Sequence, residues 1–159
     1  MLTTCLWFDG KALDVANYYI SIFPHSTLGT ISYYDDANPH IPGSQVWDVM
    51  VVEYTLMGQR FMGLNGGSGV HHSLAVSWII PCETQAEIDY YYEHLSAVPE
   101  AEQCGWVQDQ FGISWQITPN RFMELMKGDD KEKSANLMKE MLTMKRLNIV
   151  DIERAYNWK

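Results

Sequence analysis

Slid along itself by about 73 residues, the chain lays DVANYY (14–19) over EIDYYY (87–92), and the patterns around the two copies agree although few identities do. Such a repeat constrains a fold more than composition can, because each copy has to be one supersecondary unit and the copies must bury their apolar faces.

The first copy reads as a strand, a helix and three strands. Thr4 to Phe8 is short, β-branched and aromatic, and stops at the turn pair Asp9-Gly10. In KALDVANYYISIF, residues Ala12, Val15, Ala16, Tyr19 and Phe23 recur at spacings of three and four, one face of a helix that Pro24 closes. Thr27 to Tyr34 is the next strand, Asp35 to Gly43 an exposed loop, and Trp47 to Leu56 a β-rich run. Met57-Gly58-Gln59 makes a tight hairpin turn, after which Arg60 to Leu64 returns as a strand.

The second copy begins with a strand over Leu74 to Ile80. A helix follows over Thr84 to Leu95, with Thr84 and Glu87 spaced as a capping box. Strands resume at Cys104 to Gln108 and Ile113 to Thr118 around the turn Asp109-Gln110-Phe111-Gly112, and one strand of this half is less visible. Past Pro119 the chain turns helical: RFMELMKG closes at Gly128, KEKSANLMKEMLTMK carries Leu137, Met138, Met141, Leu142 and Met144 along one side, and LNIVDIERAY is a short last helix capped by Asp151. The Met-rich side fits packing over a sheet or across a dimer better than a ligand surface.

The most conspicuous local feature is GLNGGSG (63–69), followed by His71 and His72. A nucleotide or S-adenosylmethionine loop needs glycines between a parallel strand and a helix N-terminus, where backbone N–H groups and the helix dipole meet the ligand. Here the glycines follow a hairpin and precede another strand, so they read as a joint between halves. Adjacent histidines in an extended segment point to opposite sides and do not readily chelate one ion; a solvent or dimer contact is the simpler role, with metal ligation the alternative.

With 20 acidic and 11 basic residues the net charge is -9, which repels phosphate backbones and anionic lipid, and no Lys/Arg stripe offsets it. Nucleic acid and membrane are therefore not expected partners. The three cysteines, Cys5, Cys82 and Cys104, show no CxxC spacing and fit reduced thiols in a cytoplasmic protein. The opening MLTTCLWFDG lacks the pattern of a signal peptide. Cys104 beside Gly105 and Trp106 is tempting as a nucleophile, but no histidine is near in sequence and core packing is the simpler reading.

The phrases LWFDGKALDVANYYISIFP, FMGLNGG, AVSWIIPCETQAEIDYYYEHLS, CGWVQDQFGISWQITP and LMKEMLTMKRLNIVDIERAY closely resemble the PhnB-like family of the glyoxalase, bleomycin-resistance and extradiol-dioxygenase superfamily, also called the vicinal oxygen chelate superfamily, over nearly the whole chain. Its members commonly carry the label demethylubiquinone 3-methyltransferase. The resemblance implies an α+β protein with two βαβββ modules, curved mixed sheets around a cavity and C-terminal helices, in a homodimer. The expected layout is a single domain, with module one at 1–66, module two at 73–118 and a helical tail at 119–159.

In that superfamily a divalent metal is typically held by His, Glu or Gln from the first and last strand of each module. Those positions fall near Thr4 and Ser77, and near Met62 and Gln116, which is one plausible ligand in four. No metal and no cofactor are therefore expected. Glu53, in VMVVEYTL, alternates with Val51 and Thr55 and faces either the cavity or solvent. Trp7, Trp78, Trp106 and Trp115 sit on four strands and offer apolar lining, with Trp115 assigned by alternation to the helix side and Gln116 to the cavity. The candidate ligand-binding residues are Thr4, Glu53, Met62, Asn65, Ser77, Trp106 and Gln116. The expected function is metal-independent binding of a small, partly aromatic or apolar molecule. The alternatives are a metal-dependent lyase or dioxygenase using His71 or His72 with Gln116 and Glu53, and the methyltransferase of the family label.

Overall fold

The computed structural model describes residues 2–36, 41 and 43–157, so the expected loop at 35–43 lies partly outside the described residues. The chain divides into two compact units, Met1–His71 and His72–Lys159. Its fold is α+β.

Unit one is a complete βαβββ module: β1 (Thr4–Phe8), α1 (Ala12–Ile22), β2 (Thr27–Tyr33), β3 (Val49–Leu56) and β4 (Gln59–Asn65). Its four-stranded sheet runs β1-β4-β3-β2, with β1 parallel to β4 and the other pairs antiparallel. The hairpin between β3 and β4 turns through Met57 and Gly58, both at positive φ, the backbone a two-residue turn demands. Alternation sends Leu6, Phe8, Val52, Tyr54, Leu56 and Phe61 to one face, where they meet the buried stripe Ala12, Val15, Ala16, Tyr19 and Ile22 of α1. Gly63 lies on that face because a Cβ there would come 3.0 Å from the Ala12 Cβ.

Unit two contains β5 (Ser77–Cys82), α2 (Gln85–Leu95), β6 (Trp106–Gln108), β7 (Ser114–Pro119), α3 (Asn120–Leu125), α4 (Lys131–Met141) and α5 (Ile149–Asn157). Its sheet has three strands in the order β5-β7-β6, so β5, β7 and β6 take the places of β1, β4 and β3. The counterpart of β2 is missing among the described residues. Residues 96–105 are too few for a strand and its return, where 23–48 sufficed in the first copy, and they form a short 3₁₀ turn at Pro99–Ala101 instead. Strand β5 starts at Ser77 and not at Leu74, and it tolerates Pro81 because it is an edge strand. The capping box on α2 is present, with the Thr84 side chain accepting from the Glu87 N–H and the Glu87 carboxylate accepting from the Thr84 N–H. At α5 the cap is Asn148, whose side chain accepts from the N–H of Asp151, so Asp151 sits inside the first turn and does not cap it.

The helices after β7 build a core of their own. Phe122, Leu125, Leu137, Leu147 and Ile152 are buried together, with Met126, Met138, Met141, Met144 and Tyr156 packed against them. The Met-rich side of α4 is thus largely a packing surface, except that Leu142 is 56% exposed. The chain after α4 is tied to the second module by bonds from the N–H groups of Cys104 and Gly105 to the carbonyls of Met144 and Lys145, each 2.8 Å. Gln85 adds a side-chain bond to the Leu147 carbonyl, and Arg146 pairs with Asp89 while lying over the Tyr92 ring.

A pH-sensitive clip reinforces this seam. The Glu102 carboxylate accepts from Ser96 Oγ at 2.7 Å and faces Lys145 Nζ at 3.4 Å. Bonds from Ser96 and then Tyr92, only partly opposed by burial, hold its carboxyl below the usual glutamate range. A depressed folded-state pKa contributes stability above the unfolded value of about 4.3 and loses it as pH falls through the folded value. Urea melts of wild type and Glu102→Gln should therefore differ at pH 6 and converge under acid conditions. A difference that stays constant through the acid range would place the strength of the clip elsewhere.

Candidate functional site

In each unit the sheet has a helix-covered face and an open face. On unit one the open face carries Cys5, Trp7, Val51, Glu53, Thr55, Met62 and Leu64, by alternation from the buried set. Glu53 and Met62 are direct cross-strand partners, and both line a cavity of about 160 Å³ together with Thr3, Thr27, Thr55 and Arg60. The strand β2 closes against Glu53 at Gly29, where a Cβ would meet the Glu53 carbonyl oxygen at 3.0 Å, beside a register shift in the β2–β3 ladder. Sequence reasoning missed Thr3, Thr27 and Arg60. Arg60 was within reach, since counting back through the hairpin pairs it with Thr55.

Thr4 does not belong to this face. It pairs with Phe61 on the helix side, and its counterpart in unit two is Trp78, which pairs with Trp115. Ser77 therefore corresponds to Thr3. The turn from strand to helix is one residue shorter in the second copy, so an alignment made on the helices assigns the preceding strand to the wrong face.

Asn65 is buried and structural. Its side-chain oxygen accepts from the N–H of Ala12 at 2.9 Å, satisfying one of the open donors at the start of α1, while its amide donates to the Val49 carbonyl at 2.9 Å. Tyr34 donates to the Asn65 carbonyl at 2.6 Å. Asn65→Ala is expected to destabilise the protein by about 2 kcal/mol, because a helix-end donor and a strand carbonyl lose their partners; a thermal melt within one degree of wild type would refute this role.

On unit two the open face carries Ser77, Ile79, Trp106, Gln108 and Gln116. Gln116 Nε2 donates to Ser77 Oγ at 2.8 Å across the parallel pair, and Trp106 is the antiparallel partner of Gln116. These three candidates are thus neighbours. Trp115 is buried on the helix side beside Trp78, and its Nε1 donates to Asp109 Oδ2 at 2.8 Å. The four tryptophans split accordingly, with Trp7 and Trp106 on open faces and Trp78 and Trp115 under helices.

The glycine-rich stretch is filled by an indole. Trp7 Nε1 donates to the Gly67 carbonyl at 2.8 Å, and a Cβ on Gly66 would fall 2.2 Å from the Trp7 ring. It leads from β4 toward β5, and its Gly63 and Asn65 lie against the N-terminus of α1, where the Ala12 N–H is already taken by the Asn65 side chain. His71 is exposed and His72 half-buried. Among the described residues no three His, Cys, Asp or Glu side chains gather as a metal-binding group. Cys82 is buried, and burial together with the Glu87 carboxylate pushes its thiol up to about 12, so it stays protonated. Cys104 is half-buried at positive φ (53°) in the turn before β6, held by its bond to Met144.

A family model described as 3-demethylubiquinone-9 3-methyltransferase matches residues 1–118. The PhnB protein from Bacillus cereus is similar in structure over 74% of this chain and 98% of its own, with 32% identity and a TM-score of 0.59. A protein from Pseudomonas aeruginosa, 17% identical, shares the fold over 75% of this chain and 96% of its own with a TM-score of 0.54. No curated protein matches. The resemblance first read over nearly the whole chain is thus confined, in the family model, to residues 1–118, and α3 to α5 lie outside it.

Proposed function

The chain belongs to the PhnB-like family, within the glyoxalase, bleomycin-resistance and dioxygenase superfamily, and from that premise we propose that it binds a small organic molecule on the open faces of its sheets without a metal. The observation that carries this reading is the Gln116–Ser77 pair, a neutral amide and hydroxyl bonded to each other at 2.8 Å. A neutral amide and a hydroxyl are not the donors that ordinarily hold a divalent ion. The pair suits an uncharged polar group of a ligand, with Trp106 beside it as an apolar contact. Segments 1–66, 73–118 and 119–159 are then parts of one functional domain, in a cytoplasmic homodimer.

The description of the family model favours a second reading, methyl transfer, which would require S-adenosylmethionine. The glycine-rich stretch does not fit that group, because the Trp7 indole occupies the space over Gly66 and the Asn65 side chain already takes the Ala12 N–H at the start of α1. No step is derived through it.

Native mass spectrometry of the purified, untagged protein tests the proposal. A metal-free dimer, followed by ligand binding that Gln116→Ala weakens at least tenfold, is the expected result. One stoichiometric divalent ion per subunit, or saturable binding of S-adenosylmethionine, would overturn it.

A further inference from the structure

A second cavity shares Trp106 with the open face of unit two and is otherwise lined by residues of its own, beside β6. It has a volume of about 490 Å³, within the range that holds a drug-sized molecule, and its lining includes Leu74, Glu100, Cys104, Trp106, Met141 and Leu142. Two of its apolar walls face water: Leu74 is 62% exposed and Leu142 56%. Met141 and Leu142 come from the end of α4, beyond the residues matched by the family model, so this cavity is made by joining the tail to the family module. The joint is firm, because the adjacent residues Met144 and Lys145 accept the Cys104 and Gly105 N–H bonds.

Among the described residues Glu100 is the only charged side chain in the lining. The neighbouring cation, Lys145, is engaged elsewhere, by the Pro99 carbonyl at 3.1 Å and by Glu102. An apolar wall with one indole and one carboxylate, in a chain of net charge -9, attracts positive charge and offers both cation–π and ionic contact. We propose that this cavity is a binding site for lipophilic organic cations, such as aromatic quaternary ammonium ions. The site shares Trp106 with the open-face reading, and Glu100→Gln tests it separately from Gln116→Ala.

Benzyltrimethylammonium and its neutral carbon counterpart neopentylbenzene differ only in charge, and their binding to the full chain can be followed by tryptophan fluorescence and by amide shift changes in NMR. The expected result is binding of the cation at least tenfold tighter than the neutral probe, with shifts at Ala101, Gln103 and Leu142. Glu100→Gln should remove the preference while leaving the spectrum otherwise folded, and Trp106→Phe should weaken cation binding without abolishing it. Equal binding of both probes, no binding of either, or shifts confined to the open faces around Gln116 and Glu53 would overturn the proposal. So would a concentration-dependent gain in mass abolished by Leu142→Asp, which would assign the cavity to a second copy of the chain.

Discussion

Replacement of Asp109 by alanine is expected to lower stability by about 3 to 5 kcal/mol, because three buried N–H donors lose their acceptor at a cost of about 1 to 3 kcal/mol each. Asp109 is 1% exposed. One carboxylate oxygen accepts from the N–H groups of Phe111 at 2.9 Å and Ile113 at 3.0 Å, and the other from the Trp115 indole at 2.8 Å. The turn also closes through the backbone, by the Asp109 N–H to Ile113 and the Gly112 N–H to Asp109. Alanine would strand three donors at once. Asparagine keeps the shape and one acceptor oxygen but sets its amide N–H against the indole N–H, so Asp109→Asn should cost about 2 kcal/mol. The check is a pair of urea melts with indole proton exchange read by NMR. A loss below about 1 kcal/mol for the alanine variant would mean that the backbone turn alone holds β6 to β7.

The second large effect is expected at Gly105. Its φ is +83°, and a Cβ would lie 2.7 Å from the Ile117 carbonyl oxygen and 3.0 Å from Leu147 Cδ1. The first of these is backbone and cannot rotate away. Gly105→Ala should cost about 3 kcal/mol, combining the left-handed backbone penalty with overpacking. Gly112 is the control, because it has the same φ but only the His72 Cβ at 4.0 Å. Gly112→Ala should cost about 1 kcal/mol. Because Gly105 also donates to Lys145, the alanine variant should speed amide exchange along α4 and α5 before it affects α1. Equal costs at the two glycines would show that backbone conformation, not the seam with the tail, makes Gly105 necessary.

Part of the layout of the candidate site was legible from spacing alone. Alternation within VMVVEYTL put Glu53 on the face away from α1, and alternation within ISWQI separated Trp115 from Gln116, because side chains on a strand have a period of two whatever surrounds them. Thr4 failed for the same reason: a period of two makes one residue of uncertainty equal to the wrong face, and the turn before the helix differs by one residue between the copies. Asn65 was named among the candidate contacts, and the partners that give it a structural role, Ala12 and Val49, are far from it in sequence. Asp109 was read as a turn former, which it is, but nothing in DQFG announces that Trp115 will bring its indole N–H to the same carboxylate.

By itself the sequence determined the repeated strand-helix-strand order, the capping box of α2 and the helical character of the tail, all of which follow from local periodicity and from residues a few positions apart, while the α+β class came with the family resemblance. The tertiary structure alone decided that the second copy lacks a strand among the described residues, that Trp7 fills the glycine-rich stretch, that Ser77 and Gln116 meet, and that α4 walls a cavity beside Trp106. Those outcomes depend on contacts between residues tens of positions apart, and local periodicity carries no information about which distant face a side chain will meet.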